Sequence, residues 1–160
     1  MTGHVTGRGR KAKPGNITFV GSGPGDPNLL TTRARTVLAN ATCVFTDPDV
    51  PQAVLDVVGI DLPPAVGPVP QTVAAGGEEQ GAPSVVSGAD IRPALGEPAE
   101  VAKILVAEAK SGVDVVRLVA GDPLSVDAVS TEVMAVSKSQ LSFEIVPGLP
   151  ATVAVPTYAG

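Results

Sequence analysis

The chain has 160 residues, the length of one ordinary domain or of one domain with an extension. Hydrophobic residues make up 44% of it, enough for a buried core, whereas aromatic residues make up 2%, too few for a nucleic-acid reader that stacks bases on aromatic side chains. The single cysteine, Cys43, and the single histidine, His4, exclude an internal disulfide and a multi-cysteine or histidine-rich metal centre. We therefore expect no metal site and no membrane span, and a cytoplasmic location.

Charge is unevenly distributed along the chain. The net charge is 11 − 16 = −5, yet four of the basic residues (Arg8, Arg10, Lys11 and Lys13) lie in the first thirteen positions. Without this acid-free segment the balance is 7 − 16 = −9, which disfavours a polyanionic partner such as nucleic acid. We expect residues 1–14 to form a flexible basic leader. A contact of the leader with nucleic acid or a membrane stays open as the alternative.

The first half of the chain alternates between predicted strands and helices. Residues 16–20 (NITFV) are apolar and β-branched and predict a buried strand that ends at a glycine cluster. Apolar residues at helical spacing from 29 to 41 predict a helix, and residues 42–46 (TCVFT) predict a second strand. Residues 51–58 predict a short helix that begins with a proline. This order of elements predicts an α/β fold.

Residues 61–90 differ in composition from the segments on either side. Ten of these thirty residues are glycine or proline, none is basic, and no hydrophobic period is sustained. We predict a disordered or loosely packed insertion within the domain.

Regular patterning returns at residue 98. Residues 98–110 predict a helix whose inward side chains are Val101, Ile104 and Leu105, and residues 113–119 (VDVVRLV) predict a strand. A further helix, with Ser125 as its candidate N-cap, follows from valines at three- and four-residue steps: Val126, Val129, Val133 and Val136. Residues 141–146 predict the last strand, and residues 150–160 the start of a second domain that the chain does not complete.

Three of the predicted strands run into turns of small or rigid residues. These turns are residues 21–27 (GSGPGDP), 120–123 (AGDP) and 147–150 (PGLP). Open α/β sheets bind ligands at the carboxyl ends of their strands, where glycine lets main chain approach a ligand. Ordinary turns are the alternative interpretation, because glycine and proline punctuate any fold. The first turn is GxGxG and not GxGxxG, so it matches a nicotinamide site weakly, and it lacks the lysine of a Walker loop.

The residues around these turns resemble the tetrapyrrole methylases, and within them the uroporphyrinogen-III C-methyltransferases. The resemblance lies in ITFVGSGPGDPNLLTTRARTVLANATCVFTD, VVRLVAGDP, FEIVPGLPA and VPTYAG, and it covers roughly residues 17–61 and 99–160. It implies a mostly parallel sheet flanked by helices, with residues 15–149 as the N-terminal domain of a two-domain fold. The cleft between such domains binds S-adenosylmethionine. The insertion and the leader look similar to those of actinobacterial proteins in which the methylase precedes a uroporphyrinogen-III synthase domain.

The resemblance also implies roles for individual residues. The implied reaction is transfer of a methyl group from S-adenosylmethionine to a carbon of uroporphyrinogen III, with Asp47 as the proton acceptor. A turn or N-cap role for Asp47 is the alternative that the residues themselves offer. The implied partners are the small-molecule tetrapyrrole, a fused synthase domain and a second copy in a homodimer. Contacts with the methyl donor are implied for Pro24, Ala120, Gly121, Asp122, Ser125, Pro150 and Ala151.

The chain departs from the family pattern where it would meet the tetrapyrrole. The family's arginine after the Asp47 position is Pro48 here, and no lysine or arginine lies between Arg35 and Arg92. The hydroxyl residue that the family has after the third turn is Pro150. Because uroporphyrinogen is a polycarboxylate, its binding calls for several cationic donors. Two other hypotheses therefore stay open: a non-catalytic methylase-fold domain that supports an attached synthase, and a family branch that acts on a corrinoid intermediate or ribosomal RNA.

Overall fold

The computed structural model describes residues 13–60, 88–150 and Thr152, and within them a five-stranded parallel sheet lies between two pairs of helices. The strands are β1 (Ile17–Gly21), β2 (Cys43–Thr46), β3 (Asp90–Pro93), β4 (Val115–Val119) and β5 (Phe143–Val146). The helices are α1 (Thr32–Ala39), α2 (Gln52–Leu55), α3 (Pro98–Lys110) and α4 (Asp127–Ser137). The strand order is β3-β2-β4-β1-β5, and each neighbouring pair is parallel. The predicted α/β fold is confirmed.

Both faces of the sheet are buried. Successive side chains of a strand point to opposite faces, so Ile17 and Phe19 of β1 share one face and Val20 lies on the other. The face of Ile17 and Phe19 packs against α3 and α4, and the face of Val20 packs against α1 and α2. Strands that are apolar on both sides are typical of parallel sheets covered by two helical layers.

Local sequence sets where α1 and α3 begin. The Oγ1 atom of Thr31 accepts a hydrogen bond from the amide of Ala34 at 3.2 Å and so caps α1. The same hydroxyl donates to the carbonyl oxygen of Pro147 at 3.5 Å, which ties the start of α1 to the turn after β5. Pro98 is the first residue of α3, a position whose N–H has no partner within the helix in any case.

Strand β3 was missed because it does not carry a strand-like sequence. Its residues are Asp-Ile-Arg-Pro, all are exposed, and the strand is the edge of the sheet, where charged residues and proline are tolerated. Its first residue, Asp90, had been assigned to the insertion. Residues 61–87 of that insertion and residues 1–12 of the leader lie outside the described residues.

Three further local predictions are wrong. The helix expected over 51–58 is limited to Gln52–Leu55 and continues as turns toward Gly59, whose φ of 75° breaks a right-handed helix. Ile104 is 45% exposed because α3 packs through the other side of its turn, where Val101 and Leu105 are buried. Ser125 does not cap α4: it ends a 3-10 turn over Pro123–Ser125, and Val126 is the N-cap.

Candidate cofactor site at the carboxyl edge of the sheet

The turns after β4, β1 and β5 lie side by side, because these three strands are adjacent in the sheet. The chain leaves β1 for α1 on one face and leaves β4 for α4 on the opposite face. Adjacent parallel strands whose connections diverge in this way leave a crevice at their carboxyl ends, which is where open α/β sheets bind ligands. The three turns singled out in the sequence therefore meet at the crevice between β1 and β4.

Main chain packs on main chain where the turns meet. Gly23 and Gly121 exchange two N–H···O=C hydrogen bonds of 3.1 Å each. A Cβ atom on Gly148 would overlap the carbonyl oxygen of Gly121 and would lie 2.9 Å from the Cα atom of Gly21. Glycine at positions 21 and 148 is thus required by the contact between turns, whether or not a ligand binds.

Gly121 is different, because its surroundings are open. Its φ is +72°, in the left-handed region that glycine adopts without strain. A Cβ atom there would meet no atom of the described residues within 4 Å. The absence of a side chain at this position leaves open space beside the half-buried main chain of the turn.

Asp122 uses its carboxylate to join the second and third turns. Its Oδ1 atom accepts a hydrogen bond from the amide of Gly148 at 3.2 Å, and its Oδ2 atom accepts one from the hydroxyl of Ser125 at 3.2 Å. These two side chains therefore hold the shape of the site. The family resemblance had implied a cofactor contact for both and had not indicated this bracing role.

The remaining predicted cofactor residues are small or rigid members of the same turns. Pro24 follows Gly23 in the first turn, Ala120 precedes Gly121 in the second, and Pro150 ends the third; all three are half-buried. Ala151 lies outside the described residues.

Asp47 lies beside the end of β4, at the far side of that strand from β1. It directly follows β2, its amide donates to the carbonyl oxygen of Leu118 at 3.0 Å, and its side chain is 21% exposed. Its carbonyl oxygen accepts from the amide of Val50 at 3.2 Å, so it opens a turn, but α2 has Pro51 as its N-cap. The Oδ1 atom of Asp47 accepts a hydrogen bond from Nη2 of Arg117 at 2.6 Å.

Sequence reasoning missed Arg117 and Glu132, whose side chains are each 3% exposed. The Nε atom of Arg117 donates to Oε2 of Glu132 at 2.8 Å, and Nη2 donates to Oε1 at 3.0 Å. Burial lowers the pKa of the Arg117 guanidinium, but hydrogen bonds and charge from Glu132, and then from Asp47, raise it above its ordinary value. The available signals were an arginine in the middle of VVRLV and a glutamate on the apolar face of the last helix.

Two other arginines of the described residues are engaged in ion pairs. Arg33 pairs with Glu144 at 2.7 Å, and Arg92 pairs with Asp90 and with Glu108. None of these three pairs involves the glycine turns.

In the part of the chain that the structure describes, no group of three or more histidine, cysteine, aspartate or glutamate side chains could hold a metal ion. None of the described helices has the length and apolar character needed to cross a membrane.

The covered parallel sheet and its main-chain crevice define an α/β ligand-binding domain. The chain belongs to the Tetrapyrrole (Corrin/Porphyrin) Methylases, whose family model matches residues 16–160. The S-adenosyl-L-methionine-dependent uroporphyrinogen III methyltransferase of Methanosarcina barkeri is 33% identical over 146 residues, which are 91% of this chain and 49% of that protein. Siroheme synthase 2 of Aeromonas hydrophila is 33% identical over 150 residues, 94% of this chain and 28% of that protein.

Solved structures of methyltransferases have the same fold as this chain. Uroporphyrin-III C-methyltransferase of Thermus thermophilus, complexed with S-adenyl homocysteine, has a TM-score of 0.67 and 25% identity, covering 89% of this chain and 52% of that one. The cobalamin biosynthetic cobalt precorrin-4 methyltransferase, at 21% identity and a TM-score of 0.65, shares the fold. The chain thus spans about half or less of the length of the relatives that it matches.

Proposed function

We propose that this chain is the N-terminal, donor-binding part of a methyltransferase that uses S-adenosylmethionine to methylate carbon atoms of uroporphyrinogen III. The observation that carries the proposal is the meeting of the three glycine turns at the carboxyl ends of β1, β4 and β5, with open space beside Gly121. The activities for which the Methanosarcina and Thermus relatives are named support the choice of donor and acceptor.

The crevice fits a donor that is held largely by main chain. S-adenosylmethionine supplies, when bound, an electrophilic methyl group on a sulfonium ion. The turn Ala120-Gly121-Asp122 is half-buried, and a Cβ atom at Gly121 would take up the open space beside its main chain. The other residues proposed to contact the donor are Pro24, Ser125, Pro150 and Ala151.

Asp47 is the proposed proton acceptor. The methyl group leaves the sulfonium ion without its bonding electron pair, so the tetrapyrrole that accepts it must lose a proton. The Asp47 carboxylate, 21% exposed near the end of β4, is suited to take that proton. Most of the rate would come from holding donor and acceptor in line, because a displacement at a methyl group needs little further acid–base help.

The proposal is tested by incorporation of labelled methyl groups from S-adenosylmethionine into uroporphyrinogen III by the full-length protein. We expect Asp47→Asn to lower kcat by about 100-fold, the low end for one acid–base group, with unchanged affinity for S-adenosylhomocysteine. Gly121→Val should weaken that affinity, and Gly96→Ala, in the exposed loop between β3 and α3, should leave it unchanged. No incorporation by the wild type beside an active control enzyme would refute the proposal.

A non-catalytic domain that supports an attached synthase is the second candidate, and the shortage of cations favours it. No lysine or arginine lies between Arg35 and Arg92, and Arg117 is shared by two carboxylates. Losing two or three hydrogen bonds to the carboxylates of the substrate would cost about 3–9 kcal/mol if nothing replaced them. Calorimetry with S-adenosylhomocysteine separates the candidates: no binding favours the supporting domain, and micromolar binding without methylation of uroporphyrinogen favours a methylase of another tetrapyrrole.

The wider organisation is also a proposal. Residues 1–14 as a basic leader, the loose insertion predicted over residues 61–90 (shortened by Asp90, which belongs to β3) and residues 150–160 as the start of a second domain fit the partial coverage of the relatives. A fused uroporphyrinogen-III synthase, a homodimer and a cytoplasmic location complete it. The reading frame beyond Gly160 and sedimentation of the full-length protein test the first two.

A further inference from the structure

We infer that Arg117 and Glu132 are positioning residues that hold the Asp47 carboxylate in one orientation for proton transfer. The inference rests on the proposed function only for what Asp47 does, because the arrangement itself is given by the geometry.

Arg117 lies in the middle of β4, where an apolar residue would pack between the sheet and the α3–α4 layer. Four of the five N–H bonds of its guanidinium have acceptors: two from Glu132, one from Asp47 and the carbonyl oxygen of Leu118 at 3.1 Å. A buried arginine that is fixed at so many points cannot follow a moving partner. Arg117 therefore holds its hydrogen-bond partners in fixed positions.

The two carboxylates that bind Arg117 differ in exposure. Glu132 is 3% exposed and uses both oxygens on Arg117, whereas Asp47 is 21% exposed and uses only Oδ1. The Oδ2 atom of Asp47 has no hydrogen-bond donor among the described residues. One oxygen of Asp47 is thus anchored, and the other is left for an incoming proton.

Glu132 has a second consequence for charge. One guanidinium and two carboxylates leave the cluster with a net charge of −1, because Glu132 already balances Arg117. Asp47 is therefore oriented by the arginine without being neutralised by it.

The main alternative is that the buried pair only staples α4 to β4. Removing Arg117 alone does not distinguish the positioning role from the structural role, because it leaves the buried charge of Glu132 without a partner and destabilises the fold. The double variant Arg117→Met with Glu132→Leu avoids this, since replacement of a whole buried ion pair by apolar residues of similar size is often neutral for stability. Arg33→Gln with Glu144→Gln is the matched control: it removes another two-point Arg–Glu pair, exposed and without contact to Asp47.

The test measures the full-length protein by thermal unfolding, calorimetry with S-adenosylhomocysteine and steady-state methyl transfer. For the buried-pair variant we expect a near wild-type melting temperature and donor affinity, and a kcat reduced by about 100-fold, the scale of one acid–base group, with little change in KM. The control pair should keep its kcat. In Arg117→Ala, millimolar guanidinium should restore part of kcat, urea should not, and neither should rescue Asp47→Asn.

A wild-type kcat in the buried-pair variant would overturn the inference, and so would parallel losses of kcat, donor affinity and melting temperature. Crystal structures of the wild type and the buried-pair variant give a readout that does not depend on activity. We expect the Asp47 carboxylate to change rotamer or lose order in the variant, and an unmoved carboxylate would refute the positioning role. If the wild type transfers no methyl group, the proposed function fails, and the crystal comparison still decides whether Asp47 is held.

Discussion

The junction of the three glycine turns makes Gly148→Ala an informative substitution. The added methyl group would overlap the carbonyl oxygen of Gly121 and lie 2.9 Å from Cα and C of Gly21, and all of these are backbone atoms that cannot rotate away. To reach an ordinary separation, one of the turns must move by several tenths of an ångström or more. The change therefore acts on the shape of the crevice as well as on stability.

The magnitude follows from two opposing effects. Overpacking of this kind costs about 1–3 kcal/mol. The smaller conformational freedom of alanine in the unfolded chain returns about 0.4–1 kcal/mol, since φ of Gly148 lies outside the left-handed region. Because the added methyl group would overlap a backbone oxygen, the upper end of the first range applies, and we expect a net destabilisation of about 2–2.6 kcal/mol from these two terms. If the shift breaks one main-chain contact to the donor, affinity for S-adenosylhomocysteine falls about tenfold.

Urea unfolding followed by circular dichroism and calorimetry with S-adenosylhomocysteine measure the two effects. Gly121→Ala is the companion variant, because it adds a methyl group into open space and strains only a φ of +72°. We expect it to reduce stability as well, but through backbone strain without displacing the third turn. An unchanged unfolding midpoint and an unchanged donor affinity in Gly148→Ala would refute the close packing of the turns.

Three further predictions concern other contacts. Asp122→Ala removes the acceptor of the Gly148 amide and should destabilise the protein by about 1–2 kcal/mol and weaken donor binding; urea unfolding and calorimetry check this, and unchanged values would contradict it. Hydrogen bonding from Arg33 lowers the pKa of Glu144, so the wild type should be more stable than Glu144→Gln at neutral pH. This difference in stability should vanish as the pH falls below the usual carboxyl range. A difference that persists in acid would contradict a stabilising Arg33–Glu144 ion pair. Burial raises the pKa of the Cys43 thiol, the only one in this chain, so iodoacetamide should label it slowly in native protein and quickly in urea, whereas fast native labelling would mean that β2 opens readily.

Sequence reasoning identified most of the elements because their signals are local. The apolar runs of β1, β2, β4 and β5 and the periodic valines and leucines of α3 and α4 are legible without knowing what they pack against. It failed at β3 because an exposed four-residue edge strand exists only through its neighbour β2. It failed at Ser125 because the side chain that could have capped α4 is instead bonded to Asp122.

Some residues of the candidate site could likewise be predicted from local sequence, and others could not. Glycine and proline at strand ends are visible in the sequence and predicted the three turns of the crevice, because their effect on the backbone is intrinsic to the residue. Asp47 was singled out only through a family resemblance. Its partner Arg117 lies 70 positions further along the chain, and Glu132, the second partner of Arg117, lies another 15 positions on, so no local pattern links the three residues.

The sequence by itself determined the α/β class and the positions of the glycine turns, because periodicity and glycine placement act within a few residues, and it indicated the family through the resemblance of whole segments. Tertiary structure decided that β1, β4 and β5 are neighbours, that Gly148 packs on Gly121, and that Arg117 holds Asp47 and Glu132 together. Strand order and burial are set by the packing of the whole sheet between two helical layers, so contacts that depend on them appear only when the chain is folded.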